Sequence, residues 1–386
     1  MSVDFSQIIG LTHLKNHLQT SAKNGRVPHA QMFSGPSGSG LLPLALAYAK
    51  LLLCGPMDPE NPAYQRSANQ VDQLMHPDLH FMYPVNSTDT VKKSPSVLDF
   101  LPQWRSFVQD SPYGSLMAWY AHIGLGSKQG TISVADTEQM AKTLSLKSYE
   151  GGYKIMIIWM ADKMNSESSN KILKLLEEPP EKTVFLLLTE EEDKILRTIY
   201  SRCQILTLPG LSQNELTHAL IEKQGCSEQQ AQSVAKSANG DFFRALQLLE
   251  HQGQDAVFEQ WFLTWARGAF KAKGNKKAIQ ELMQWSDQMA GHGRETQKAF
   301  LNYCSGLIRQ AFLEHYKLTP LVYYREYSED FKLSKLAPFI HQNNIHSLHK
   351  AIEQAQQHIE RNGNAKIIFT DLAIQLTRLL HQPSST

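Results

Sequence analysis

Two periodicities divide the chain. From Phe5 to about Leu208, short apolar runs alternate with stretches whose apolar residues recur every three or four positions, the pattern of an α/β region on a largely parallel sheet. The runs Ala30–Phe33, Leu79–Val85, Ile155–Met160 and Val184–Leu188 predict strands, and Ile205–Leu208 predicts a fifth. Between them, Leu42–Leu53 predicts a helix with Leu44, Ala45, Tyr48, Ala49 and Leu52 on one face, and Ser169–Leu176 predicts another. Pro209 and Gly210 end the last strand, and Ser212 with Glu215 three residues later predicts a capped helix start. A short helical region follows, interrupted by Gly240-Asp241, with too few residues to bury much alone. It is therefore expected to pack on the first region as a lid. From Gln252 onward the pattern is helical throughout. Phe300, Cys304, Leu307, Ala311 and Phe312 form one stripe, Ile345, Leu348, Ile352, Ala355 and Ile359 a second, and Ile368, Leu372, Leu376 and Leu379 a third. Such stripes read as the core of a bundle, although an oligomer interface uses the same pattern. The expected domains are thus 1–209, 210–251 and 252–386.

Composition narrows the class. Hydrophobic residues make up 42% and charged residues 19%, enough apolar surface for real cores. Lysine plus arginine (38) nearly balances aspartate plus glutamate (37), so no global field draws the chain onto nucleic acid or a membrane. A DNA contact would have to be local or shared with partners. No leader-like start and no long apolar run is seen, so the expected place is the cytoplasm, with no membrane partner. Cys54, Cys203, Cys226 and Cys304 are scattered without a C-x-x-C pair, which argues against a disulfide framework or a zinc knuckle. The pairs His76/His80 and His346/His349 read as ordinary surface or capping histidines. No metal and no cofactor are expected.

The first predicted strand runs into Gly35-Pro36-Ser37-Gly38-Ser39-Gly40 and then a helix, the context of a phosphate-binding loop. A working loop needs Lys after its last glycine for the β/γ-phosphates and then Ser or Thr for Mg²⁺. Leu41 and Leu42 stand there instead. What remains at Gly35, Gly38 and Gly40 is a degenerate loop, a weak anion site at most.

The segment Ala161-Asp162-Lys163-Met164, then Asn170 to Pro180, Phe185 to Thr189 and Ser201-Arg202-Cys203, resembles the AAA+ core of the clamp-loader subunits of bacterial DNA polymerase III. That family reads D-E-A-D-x-M, N-A-L-L-K-x-L-E-E-P-P and S-R-C at similar spacing. Phe5 to Gly10 and Arg26 to Ala30 resemble its opening segments, Gly240 to Leu246 its lid motif, and Asn362 to Lys366 the last segment of its collar. In this register the catalytic acids fall on Trp159 and Met160. The resemblance implies an α/β AAA+ domain with a P-loop-like parallel sheet, a small helical lid and an all-α collar bundle. S-R-C kept with loop lysine, hydroxyl and acidic pair lost resembles the delta-prime kind of subunit more than the hydrolysing gamma or tau kind.

The implied function is that of a subunit without its own ATPase, whose Arg202, set by Ser201 and Cys203, serves as an arginine finger for a neighbour's ATP while the sliding clamp is loaded. The implied partners are gamma/tau-type subunits, a delta-type subunit and the sliding clamp, joined through the collar as a hetero-oligomer, with primer-template DNA met indirectly. Arg244 falls on the second sensor arginine, and a salt bridge within the lid is the other reading of it. Cys203 reads as a small buried residue with no nucleophilic role. An inert AAA+ scaffold of another replication or repair complex is the alternative. A zinc-binding cysteine set, common after the loop helix in relatives, is reduced here to Cys54. Extra residues near 86–130 carry Trp104, Phe107, Tyr113, Trp119 and Tyr120 among Lys92, Lys93 and Arg105. Such aromatics can stack bases, but a helical insertion packing on its own domain is the preferred reading.

Overall fold

In the computed structural model, residues 4–55, 58, 60–126, 128–250, 252–272, 275–318, 321–322, 324, 326–328 and 330–383 are described. The chain forms two compact units, Met1–Leu246 and Gln247–Thr386.

The first unit is built on five parallel strands, β1 (Ala30–Ser34), β2 (Leu79–Met82), β3 (Lys154–Trp159), β4 (Thr183–Thr189) and β5 (Gln204–Thr207), in the order β2-β3-β4-β1-β5. Each matches an expected strand within a few residues. The second is shorter than expected because Pro84 has no N–H for the ladder, and Val85 instead pairs with Thr131 in an isolated antiparallel bridge. The strand period of two sorts β3 cleanly. Ile155, Ile157 and Trp159 face one apolar cluster, while Met156 and Ile158 face the other. Both faces are covered, as a parallel sheet requires.

Helices α1 (Thr12–Lys23), α2 (Leu41–Cys54), α3 (Pro62–Asp72), α4 (Leu101–Asp110), α5 (Leu116–His122), α6 (Val134–Ser145), α7 (Ser166–Glu177) and α8 (Arg197–Tyr200) connect and cover the strands. The α2 helix is not two-faced as expected: every residue except Leu51 is buried. Its outer side is taken up by the same cluster that holds Phe100, Trp104 and Trp119 of the 86–130 insertion. Even Lys50 is buried, its ammonium lying 2.9 Å from Asp72 and 3.1 Å from Asp4. His76 is likewise buried, not on the surface, and sits 3.0 Å from the Ser67 hydroxyl. After β5 come α9 (Gln213–Gln224), α10 (Glu228–Ala238) and α11 (Phe242–Glu250). The α9 start carries the expected capping box between Ser212 and Glu215.

The second unit holds α12 (Gln252–Lys271), α13 (Lys276–Ala290), α14 (Arg294–His315), α15 (Leu333–Leu336), α16 (Ile345–Glu360) and α17 (Ala365–Leu380). All three expected stripes lie in its core, with Phe312, Ile345 and Leu379 at the margin. Trp265 stacks on Trp285 at 5.1 Å beside the buried Phe300 and Phe369. The region is not helical throughout. Between α14 and α15 the described residues form turns and loops, tied to α12 by the fully buried Glu259. Its carboxylate accepts from the Tyr324 hydroxyl at 2.6 Å and from the Tyr327 and Ser328 N–H groups at 2.9 and 2.7 Å. Among the described residues, no helix is long and apolar enough to cross a membrane.

Candidate functional site

The glycine loop joins β1 to α2, and Gly38 (φ +68°) and Gly40 (φ +99°) lie in the left-handed region that favours glycine. In a phosphate-binding loop those glycines leave room for a ligand to approach the backbone. Here the room is taken. A Cβ on Gly38 would stand 1.9 Å from the Asp241 carboxylate, and one on Gly40 would stand 3.2 Å from the Tyr113 ring. Tyr113 belongs to the insertion and is buried. Its hydroxyl accepts a 3.0 Å hydrogen bond from the Ile9 N–H, and its ring meets Phe242 edge-on at 5.1 Å. Burial pushes the phenol up to about 12, so it stays neutral. The Phe242 N–H reaches the Gly38 carbonyl at 3.4 Å, and the Leu211 N–H donates to the Gly240 carbonyl at 3.1 Å. One tyrosine thus touches the opening segment, the loop and α11 together.

At the phosphate end, Leu41 and Leu42 are buried in the core. Trp159, in the register of a catalytic acid, packs against Trp104 at 5.2 Å and Phe107 at 6.0 Å. Met160 follows in a left-handed conformation (φ 55°) and lines a cavity of about 300 Å³ with Ser37, Asp162, Lys163, Glu190 and Glu191. Lys163 is shared between Asp162 and Glu191, at 2.6 Å from each, and Asp162 also accepts from Thr189 at 2.9 Å. Burial pushes the Glu190 carboxyl up to about 7, with the charges of Asp162 and Asp241 adding to the effect and a hydrogen bond from Ser37 opposing it. An entering phosphate would meet three carboxyl groups against one lysine already paired. Like charge disfavours it. Among the described residues, no group of three or more His, Cys, Asp or Glu is arranged to hold a metal ion.

The S-R-C residues lie on the link between α8 and β5, an edge strand. Backbone N–H groups of Arg202 and Cys203 close back on Ile199 and Tyr200 at 3.0 and 3.2 Å, and the Ser201 hydroxyl donates to the Thr198 carbonyl at 3.1 Å. The Cys203 side chain packs beneath, its thiol pushed up to about 11 by burial, which leaves it protonated and inert. The Arg202 side chain stays 37% exposed, with Nη1 donating to the Thr198 carbonyl at 2.9 Å and Nη2 lying 2.6 Å from Glu177 at the end of α7. Arg244 is exposed on α11; its N–H donates to Asp241 at 2.9 Å, and among the described residues its guanidinium makes no ion pair.

The loop glycines and the lid therefore meet, but through Asp241 and not through Arg244. The Arg202 guanidinium reaches Glu177 and Thr198. Sequence reasoning missed Tyr113 as a site residue, together with Asp241 and Glu190. Asp241 stood next to the lid glycine and its proximity to Gly38 could have been suspected; nothing local marks Tyr113. The insertion's aromatics Trp104, Phe107, Tyr113, Trp119 and Tyr120 are all buried, as the packing reading expected.

A family model described as DNA polymerase III, delta subunit matches residues 10–212. The chain is 30% identical over 222 residues to the DNA polymerase III subunit delta' of Bacillus subtilis, covering 58% of this chain and 54% of that protein. It is 25% identical over 252 residues to the subunit tau of Escherichia coli, covering 64% of this chain and 32% of that one. The matches thus span about half the length of the first relative and a third of the second. Among solved structures, a gamma subunit-related protein of Thermotoga maritima aligns over 94% of this chain and 99% of its own at 16% identity and a TM-score of 0.41. With more than half its residues matched by the family model, the chain belongs to the DNA polymerase III delta subunit family.

Proposed function

We propose that this chain is a subunit of a clamp loader, does not hydrolyse ATP itself, and lends Arg202 to the ATP site of an adjacent gamma/tau-type subunit while the sliding clamp is placed on DNA. The observation that carries this reading is the contrast at Arg202. Its motif is intact and its guanidinium is partly in solvent, held by one surface carboxylate and one backbone carbonyl, whereas the loop lysine, the loop hydroxyl and the acidic pair are replaced by Leu41, Leu42, Trp159 and Met160, all buried. An exposed pair of this kind is worth only about 0–1 kcal/mol, so a phosphate oxygen can displace Glu177 without straining the fold. The guanidinium offers a fixed charge and forked donors suited to charge developing on phosphate oxygens. A delta-type subunit and primer-template DNA complete the proposed assembly, with contact to DNA made through the other subunits and assembly through the second unit.

The test is Arg202→Ala in a reconstituted complex. Fingers of this type contribute roughly 10³–10⁵ in turnover at the site they serve, and in a multi-site motor one interface alone feels the loss. Assembly should be intact, with clamp-stimulated ATP turnover and loading reduced and only partly restored by Arg202→Lys. Normal turnover and loading in a fully assembled complex would reject the finger and leave an inert scaffold.

A further inference from the structure

The second unit holds a groove that the reading above does not use. Its floor is apolar: Phe262, Leu263 and Leu380 are buried there, and Phe331 meets Phe262 edge-on at 6.4 Å. It encloses about 220 Å³, room for one or two large side chains. Its wall is basic. Arg267 and Lys271 come from α12, and Lys332 and Lys335 from around the start of α15, against one acid, Asp330, among the described lining residues. Four cations against Asp330 and the Glu326 that pairs with Lys332 leave, among the described residues, a surplus of two charges around one cavity in a chain whose formal net charge is +1. Lys332 is paired with Glu326 at 2.6 Å and Arg267 spends one N–H on the Asp330 carbonyl at 3.0 Å. Lys271 and Lys335 make no ion pair among the described residues, and Phe270 at the rim is 44% exposed.

We propose that this groove binds a short segment of another polypeptide in which a large apolar side chain stands beside a run of carboxylates. The apolar side chain fills the cavity, while the carboxylates meet Lys271, Lys335 and the free donors of Arg267. A strand of nucleic acid fits less well. It needs open aromatic faces along a track of cations, whereas the Phe270 face is taken by His381, stacked at 5.2 Å, and its ring also meets Phe339 at 4.7 Å. The cations here gather around one groove with an apolar floor.

Fluorescence anisotropy on the full chain tests this, with a labelled peptide of alternating Asp and Glu ending in Leu-Phe, a charge-reversed Lys/Arg version of it, and labelled oligothymidylate. The acidic peptide should bind saturably and the reversed one should not. Lys271→Glu with Lys335→Glu should weaken binding by roughly tenfold or more. Ala266→Trp, which fills the groove without altering its charges, should weaken it comparably, with circular dichroism confirming that each variant is folded. The proposal is overturned by absence of saturable binding to the acidic peptide, by affinity unchanged in the double charge variant, or by oligothymidylate binding that this variant abolishes while the peptide fails to bind.

Discussion

Around Gly38 and Gly40 the space is occupied by Asp241 and Tyr113, and the positions of the loop lysine, loop hydroxyl and acidic pair hold the buried Leu41, Leu42, Trp159 and Met160. Around Arg202, at the α8–β5 link, the side chain is exposed and held by the Glu177 carboxylate and the Thr198 carbonyl. On the proposed function the two regions have traded roles. Groups at the old nucleotide end have become part of the fold's own packing, so changing them should alter stability and leave no chemistry to lose. The arginine at the edge contributes little to the fold, so changing it should be felt in an assembly and hardly at all in the isolated chain.

Trp104→Ala should have the largest effect. The ring is fully buried, stacked on Tyr83 at 4.2 Å and against Trp159 at 5.2 Å, and its removal should cost about 3–5 kcal/mol in urea unfolding of the first unit. A change within error would show that the insertion is not part of that unit's core. Tyr113→Ala should cost about 3 kcal/mol and raise hydrogen exchange at Ile9 and in α11, while Tyr113→Phe, which loses one hydrogen bond, should cost only about 1 kcal/mol. Equal, small effects from both would mean that the tyrosine is not what joins the opening segment, loop and lid.

Glu190 sharpens the comparison through pH. Its carboxyl is raised from 4.5 to about 7 in the fold, so the folded state favours the protonated form. The stability this gives is complete below pH 4.5 and is lost as pH rises through 7. Glu190→Gln should therefore be more stable than the natural chain at pH 8 by roughly 2 kcal/mol, the gap closing toward acid. A gap that stays constant across the range would remove Glu190 as a buried acid. The smallest effect is expected at the edge: Arg202→Ala should shift unfolding by no more than about 0.5 kcal/mol. A loss of several times that would make Arg202 a structural residue.

Much of the sheet was legible in the sequence, because β1 to β5 are short apolar runs bounded by glycine, proline and polar residues, and the period of two survives in β3. The Ser212/Glu215 cap was legible for the same local reason. The burial of α2 on all sides was not, since its outer cover comes from residues some 50 positions later. Tyr113 was hidden in the same way. It is one aromatic among six in the insertion, and its partner Ile9 lies 104 residues away. Arg202 could be picked out by its motif, but its resting contact with Glu177 required the end of α7 and the α8–β5 link to be placed together.

The claim that the space over Gly38 and Gly40 is taken by the protein's own side chains is tested most directly by thermal unfolding of the isolated chain with Mg²⁺-ATP titrated to millimolar concentration. A ligand present at 100 times its Kd would add about 2.7 kcal/mol. The expected result is no shift at any concentration, in the natural chain and in Arg202→Ala alike; a saturable rise in the unfolding midpoint, removed by a change at Gly38 or Gly40, would contradict it.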